Sequence, residues 1–282
     1  MSGIFANVRK YLHPDPTVLD ERQDFDSDLS TEFFHTGNRI GCVVLHGIGG
    51  TPANVRVVSD ALAEEGYTVL APVLPGHRET VRDMARSTWR DWLGTAEAAY
   101  DRLRTAGCTR IFMVGLSLGG ILSGIVAEEP ERPVAGAVLI CAPVQMQRYL
   151  HLARVLRFAV PVIRYQKDET GPDGLYDEGL RQMYDSGFPT GKLQDLHFLI
   201  RRFRSGLRNL TCPVLFFSAK FDNKVAPTSA GYLKAHAKNT ESLEMVFLER
   251  SPHGSTYGPE RDLVARTVRE FIRKLADPES GL

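Results

Sequence analysis

The sequence has no surplus of charge of either sign: 34 Lys and Arg balance 34 Asp and Glu. A neutral chain carries no broad positive field to recruit nucleic acid or anionic lipid. A small, uncharged or weakly charged substrate fits that balance better. No apolar run is long enough to span a bilayer, so no integral membrane segment is expected. The opening residues MSGIFANVRKYLHPDP reach Arg9 and Lys10 before an apolar run forms, so they do not read as a secretory signal. A cytoplasmic location follows as the expectation. Cysteine is scarce, and Cys42, Cys108, Cys141 and Cys212 are spaced neither as a metal clip nor as a C-x-x-C pair. They are expected to be small buried hydrophobes in a reducing compartment. There is no internal repeat, no low-complexity tract and no Lys-Ser/Thr pair for a phosphate-binding loop. With no ligand cluster of metal type, no metal is expected, and chelators should leave activity unchanged.

What is present is a chain of 282 residues, 43% hydrophobic and 24% charged. That balance suits a large buried core, as one α/β domain with an insertion or as two small domains. Short apolar, β-branched runs read as strands at 40–45 (IGCVVL), 67–71, 110–114 (RIFMV), 134–141, 213–218 (PVLFFS) and 243–248 (LEMVFL). Helical spacing separates them at 52–65, 87–105, 118–128 and 259–275. In the first, Pro52 suits an opening turn and Gly66 a stop. Strands alternating with helices mean a mostly parallel sheet covered on both faces. Residues 144–210 break the alternation. They carry no convincing strand and hold two amphipathic stretches, 147–165 and 192–208, around a Gly/Asp-rich break. An insertion of that length reads as a lid. The expected division is an extension at 1–31, a core of 32–143 and 211–282, and a cap at 144–210. In the extension, Ile4, Phe5, Val8 and Leu12 make a short amphipathic start. Two positive charges anchor weakly on a membrane, so packing on the rest of the protein is expected.

Gly115-Leu116-Ser117-Leu118-Gly119 follows the strand RIFMV and opens a helix. A G-x-S-x-G between strand and helix is a nucleophile elbow. The turn is so tight that side chains two residues either side of the serine collide. Ser117 then sits at a helix N-terminus, where developing negative charge is favoured. Its plainer alternative is an N-cap serine. A hydroxyl is a weak nucleophile until a base takes its proton. In such a fold the chain order is Ser, acid, His. The acid belongs after PVLFFS, at Asp222, and the base after LEMVFL, at His253, both at the carboxyl edge where open sheets bind ligands. Of the other histidines, His77 is expected in a structural hydrogen bond, and His46 to brace the loop Gly47-Ile48-Gly49-Gly50. That loop and the residue after Ser117 supply the backbone N–H groups of Ile48 and Leu118 to an oxyanion hole. A dinucleotide fingerprint is the rival reading of Gly47-Ile48-Gly49-Gly50-Thr51-Pro52, but Pro52 does not satisfy G-x-G-x-x-G/A.

The set LHGIGGTPANVR, PVLPGH, GLSLGGI, ICAP, FDNKVAP and SPHG resembles the bacterial carboxylesterase and monoacylglycerol lipase group of α/β-hydrolases, from about residue 39 to 275. The resemblance implies the α/β-hydrolase fold, a mostly parallel sheet flanked by helices, with a small helical cap between strands 6 and 7 in that family's numbering. It also implies hydrolysis of short- to medium-chain monoesters through Ser117, Asp222 and His253, without metal or cofactor. The chain departs from the family's usual pattern at Arg78, where Gly often follows the histidine, and in the insertion, which has its own sequence. Thioesterases, amidases, C–C hydrolases and cofactor-free peroxidases reuse the same triad. A non-catalytic receptor on the scaffold is a third reading, and it commonly lacks a triad member. The stretch 147–165 holds more apolar residues than one helix face needs, and Pro161 should kink or end it. Leu156 and Phe158 are therefore the candidates to line an acyl pocket, with ordinary core packing as the alternative. The second stretch is expected to lie on the sheet, with Arg201, Arg202, Arg204 and Arg208 as a solvated face. The sequence carries no reading of oligomeric state.

Overall fold

A computed structural model describes residues 28–147, 162–164 and 187–276. Its main sheet has seven strands: β1 (Phe33–His35), β2 (Ile40–Leu45), β3 (Thr68–Ala71), β4 (Arg110–Leu116), β5 (Gly136–Ile140), β8 (Val214–Ala219) and β9 (Leu243–Leu248). They lie in the order β1-β3-β2-β4-β5-β8-β9, all parallel except β1, which runs antiparallel to β3 at one edge. The central strands are apolar at successive positions because both faces are covered. Val43, Met113, Leu139 and Phe216 enter one core, while Val44, Val114, Val138 and Leu215 enter the other. That is the period-2 alternation of a pleated strand used twice.

The second face is covered by α1 (Arg56–Glu64) and α7 (Arg261–Ala276), which bring Val58, Leu62, Val268 and Phe271 to it. The first face is covered by α3 (Trp89–Thr105), α4 (Leu118–Ala127) and α6 (Ser229–His236). Every residue of α4 is buried. A helix that is apolar all round belongs inside, so α4 needs an outer cover. α5 (Lys192–Gly206) supplies it, packing against α4 and α3. This corrects the expectation that 192–208 lies on the sheet itself. Two glycines allow the close approach: a Cβ on Gly124 would meet the Phe203 ring at 2.4 Å, and one on Gly206 would meet the Glu128 carboxylate at 2.0 Å.

Several elements differ from the sequence reading, among them the edge strand β1, for which no strand is expected. A short helix, α2 (Val81–Arg86), follows β3, with Thr80 and Asp83 forming a reciprocal capping box. The 52–65 helix opens with a 3-10 turn at Pro52–Val55 before α1 begins. The insertion contains strands after all: β6 (Val162–Arg164) pairs antiparallel with β7 (Gly187–Pro189). Three-residue strands are too short to show alternation, and β6 lies at the end of an apolar stretch of helical spacing. β7 packs against α2, and Phe188 enters the main core. Leu156 and Phe158, and the apolar start Ile4, Phe5, Val8 and Leu12, lie outside the described residues. All four cysteines are free and buried. Among the described residues no helix is long and apolar enough to cross a membrane, and no three His, Cys, Asp or Glu are grouped to hold a metal ion.

Candidate active site

β4 delivers Ser117 and α4 begins immediately after it. The turn leaves no room for side chains on its flanks: a Cβ on Gly115 would lie 2.1 Å from the Gly119 backbone, and one on Gly119 would lie 2.2 Å from Leu45 O. Ser117 itself takes φ +54°, a left-handed conformation that a serine rarely adopts. Its amide is held by Ile140 O at 2.8 Å, which ties the elbow to the end of β5. The strain aims a hydroxyl from the carboxyl edge of the sheet.

Two loops meet that hydroxyl. After β9, His253 places Nε2 2.8 Å from Ser117 Oγ and Nδ1 2.8 Å from Asp222 Oδ2, on the loop after β8. An ionised Asp222 accepts only, so Nδ1 carries the proton and Nε2 is left to accept from the serine. Asp222 Oδ1 accepts the backbone amides of Lys224 at 2.8 Å and Val225 at 2.9 Å. Burial pushes the Asp222 carboxyl upward, but the adjoining His253 and those two amides outweigh it and hold it below the ordinary carboxylate range. The histidine loop has its own clamp. Glu260, at the foot of α7, accepts from the amides of Glu249 and Arg250 and from Ser251 Oγ. Thr256 Oγ1 donates to Asn54 O, docking the same loop on the turn after β2.

The loop after β2 lies against the elbow: a Cβ on Gly47 would be 3.4 Å from Ser117 Cβ. Gly50 N bonds Gly47 O at 3.1 Å, and Gly49 takes φ +71°, the glycine position of a type II turn. His46, fully buried, fixes the rest. Its Nε2 accepts from Leu74 N at 3.0 Å, so its Nδ1 bears the hydrogen and donates to Gly47 O at 2.9 Å. Burial, and next the neighbouring His77, push its pKa down to about 3. A trans peptide is planar, so holding Gly47 O from two sides turns the Ile48 N–H the opposite way. The Leu118 N–H lies in the first turn of α4, where a helix leaves its donors unpaired.

The structure therefore brings Ser117, His253 and Asp222 into one hydrogen-bonded line, with the loop of Ile48 and the start of α4 at Ser117. His77 is buried on α3, with Nδ1 3.2 Å from Pro75 O and its ring edge-on to His46 and Trp92. Arg78 takes φ +67°, which explains why glycine suits the position, and its Nε donates to Ser30 Oγ. Of the four arginines in the stretch 192–208, Arg201 and Arg208 are exposed, but Arg202 meets the buried Glu128 at 3.1 Å and Arg204 lies over the Tyr232 ring. Glu260 carries no expectation from the sequence, and Cys141 is expected there only as a small buried hydrophobe, not as a neighbour of the catalytic loops. Cys141 is buried at φ +46°, its sulfur 3.4 Å from Ser255 Oγ; burial and then the charge of Asp222 push its thiol up. Neither has a sequence signal, because both act through contacts between distant loops.

Among curated proteins, the chain is 31% identical over 244 residues to a thermostable monoacylglycerol lipase of Bacillus sp. (strain H-257), covering 86% of this chain and 94% of that one. It is 29% identical to a carboxylesterase of Bacillus subtilis (strain 168), covering 86% and 96%. Among solved structures, one from work on the metagenome-derived lipolytic enzymes LipS and LipT matches with a TM-score of 0.78 and 29% identity, over 88% of this chain and 98% of that one. The monoacylglycerol lipase of Paleococcus ferrophilus shares the fold, with a TM-score of 0.70 at 16% identity over 87% and 98%. The alpha/beta hydrolase family profile matches residues 42–272, and the chain belongs to that family.

Proposed function

We propose that the protein is a serine hydrolase of carboxylic esters, acting on short- to medium-chain monoesters or monoacylglycerols. The observation that carries the reading is the pair of 2.8 Å contacts joining Ser117, His253 and Asp222 in the order that base catalysis needs. Ser117 Oγ attacks the ester carbonyl as His253 Nε2 takes its proton. The carbonyl oxygen becomes negative and is met by the N–H groups of Ile48 and Leu118. The C–O bond to the alcohol breaks, and His253 returns the proton to the departing oxygen. Water, deprotonated by the same His253, then attacks the acyl-enzyme; the bond from the acyl carbon to Ser117 Oγ breaks, His253 returns the proton to that oxygen, and the acid is released. Asp222 holds the imidazole in one tautomer and stabilises its charged form.

The substrate class follows the relatives, which are named for monoacylglycerols and carboxylic esters. For the acyl side we retain Leu156 and Phe158 as pocket residues. Each buried methylene contributes about 0.8 kcal/mol, so medium-chain esters should be preferred over acetyl esters. We read the setting as cytoplasmic, where four buried thiols stay free. The test is turnover of p-nitrophenyl esters and monoacylglycerols of rising chain length beside matched thioesters and amides, with fluorophosphonate labelling of Ser117. Fast ester turnover and labelling support the reading; preferred turnover of thioesters or amides, or absence of labelling, overturns it. Leu156→Ala or Phe158→Ala should change chain-length preference and spare acetyl esters. An equal fall for all lengths places the acyl pocket elsewhere.

A further inference from the structure

Lys192 opens α5, the helix by which the insertion returns to the core, and it is only 6% exposed. A buried ammonium is strongly disfavoured unless it is paired and hydrogen-bonded. Here both conditions are met by groups outside the catalytic line. Its Nζ donates to the backbone carbonyl of Ser87 and forms an ion pair with Asp195 at 2.7 Å, and it lies 5.6 Å from the centre of the Trp92 ring. Asp195 in turn accepts the amide of Trp89 at 3.4 Å. The insertion thus grips the segment between β3 and α3 at Ser87, and the start of α3 at Trp89.

That segment leads to the oxyanion loop through contacts with no slack. Ser87 and Met84 press on Gly76, where a Cβ would lie 2.7 Å from each. His77 N then bonds Leu74 O at 3.0 Å, and Leu74 N bonds His46 Nε2 at 3.0 Å. His46 Nδ1 donates to Gly47 O, which sets the direction of the Ile48 N–H. Trp92 Nε1 bonds Pro75 O at 3.0 Å, holding the same turn from below. His77 lies between Trp92 and His46, buried, with Nε2 unpaired among the described residues. Burial, with the Lys192 charge adding to it, pushes its pKa down to about 4, so both rings stay neutral beside the ammonium.

We propose that Lys192 is a positioning residue for the oxyanion hole: by clamping Ser87 it holds the 74–87 segment against His46, and so sets the Ile48 N–H that meets the reacting carbonyl oxygen. The inference rests on the ester-hydrolase reading and extends it, because it makes the seating of the insertion a condition of transition-state binding. A displacement of the donor by as little as 1 Å is enough to cost about a hundredfold in rate.

The test is Lys192→Met, which keeps the stem against Trp92 and removes the ammonium. Measured on p-nitrophenyl acetate, kcat should fall about tenfold or more with KM within about twofold. An aryl boronic acid, whose adduct on Ser117 carries a tetrahedral oxyanion, should lose affinity by the same factor as kcat/KM. Asp195→Ala, which leaves the Ser87 bond but frees the ammonium from its carboxylate, should move both quantities the same way by less; it also serves if Lys192→Met does not fold. If either variant folds with a lowered Tm but keeps kcat and boronate affinity within twofold of wild type, Lys192 is an ordinary anchor and the proposal fails. Failure of fluorophosphonate to label wild-type Ser117 removes the hydrolase reading and this inference with it. Wild-type labelling alongside unaffected variants removes this inference alone.

Discussion

Ser117 can be asked for at its position by chemistry but not by backbone preference, since φ +54° is the conformation that glycine tolerates best. The constraint comes from Gly115 and Gly119, whose backbones touch. Gly119→Ala, with its Cβ 2.2 Å from Leu45 O, should therefore displace the elbow and remove nearly all activity, whereas Ser117→Ala should fold normally and lose activity by several orders of magnitude. Comparing kcat with thermal denaturation separates the two effects; wild-type turnover by Ser117→Ala excludes the nucleophile. Asp222→Asn should still accept the amides of Lys224 and Val225 through its carbonyl, but its amide would favour the wrong His253 tautomer. A fall in kcat of about 10³–10⁴ with an unchanged fold is expected. Retention of more than a tenth of wild-type kcat would mean that Asp222 does not set the tautomer. Much of this line was legible in the sequence because each member follows an apolar strand, and strand ends are easy to find. Lys192 was not legible. A lysine in the first turn of a helix reads as solvated, and only tertiary packing shows that it is buried.

At the scale of elements, the insertion is fastened at its leading side as well. Ser229 Oγ, fully buried, accepts Gln145 N at 2.9 Å and donates to Gln145 O at 3.0 Å. Gln147 reaches across to the acid loop, its amide bonding Lys224 O and its Nε2 bonding Val225 O. These are the residues whose own amides hold Asp222. Ser229→Ala would strand a partly buried amide and should destabilise the protein by about 1–3 kcal/mol in urea titration. A loss below about 0.3 kcal/mol would mean that the clamp is cosmetic. The elements that escaped the sequence reading share a cause. β6 and β7 are three residues each, and α2 is six, so periodicity had too little length to act on. Its capping pair, Thr80 and Asp83, was the available signal. The position of α5 was readable in principle from α4, since a stretch as uniformly apolar as LGGILSGIVA requires cover on every side.

For the whole molecule, two buried carboxyls set opposite pH limits. Arg202 reaches only one oxygen of Glu128 and is itself partly exposed; the other oxygen has no partner among the described residues. Burial therefore outweighs the pair and raises Glu128 to about 9. A raised carboxyl favours the fold in its neutral form, so that stabilisation is complete below the ordinary carboxylate range and is lost as pH climbs through about 9. Asp222, held low, contributes above the ordinary range and loses that contribution as acid brings the pH down through its folded value. The melting temperature should accordingly fall on both sides of a broad maximum. Glu128→Gln should flatten the alkaline limb and leave the midpoint near pH 5 almost unchanged; a variant that tracks wild type from pH 6 to 10 would show that Glu128 is ionised throughout.

The fastenings at Gln145–Gln147 and Phe188–Lys192 also mark two seams. Among the described residues, the ties from the insertion to the catalytic loops lie in short stretches beside them. If Leu156 and Phe158 line the acyl pocket as proposed, exchanging residues 148–186 for the corresponding segment of a relative tests it, with chain-length preference over p-nitrophenyl esters as the readout. On that proposal the preference should move with the graft while acetyl ester turnover stays with the host; an unchanged preference places the acyl pocket elsewhere.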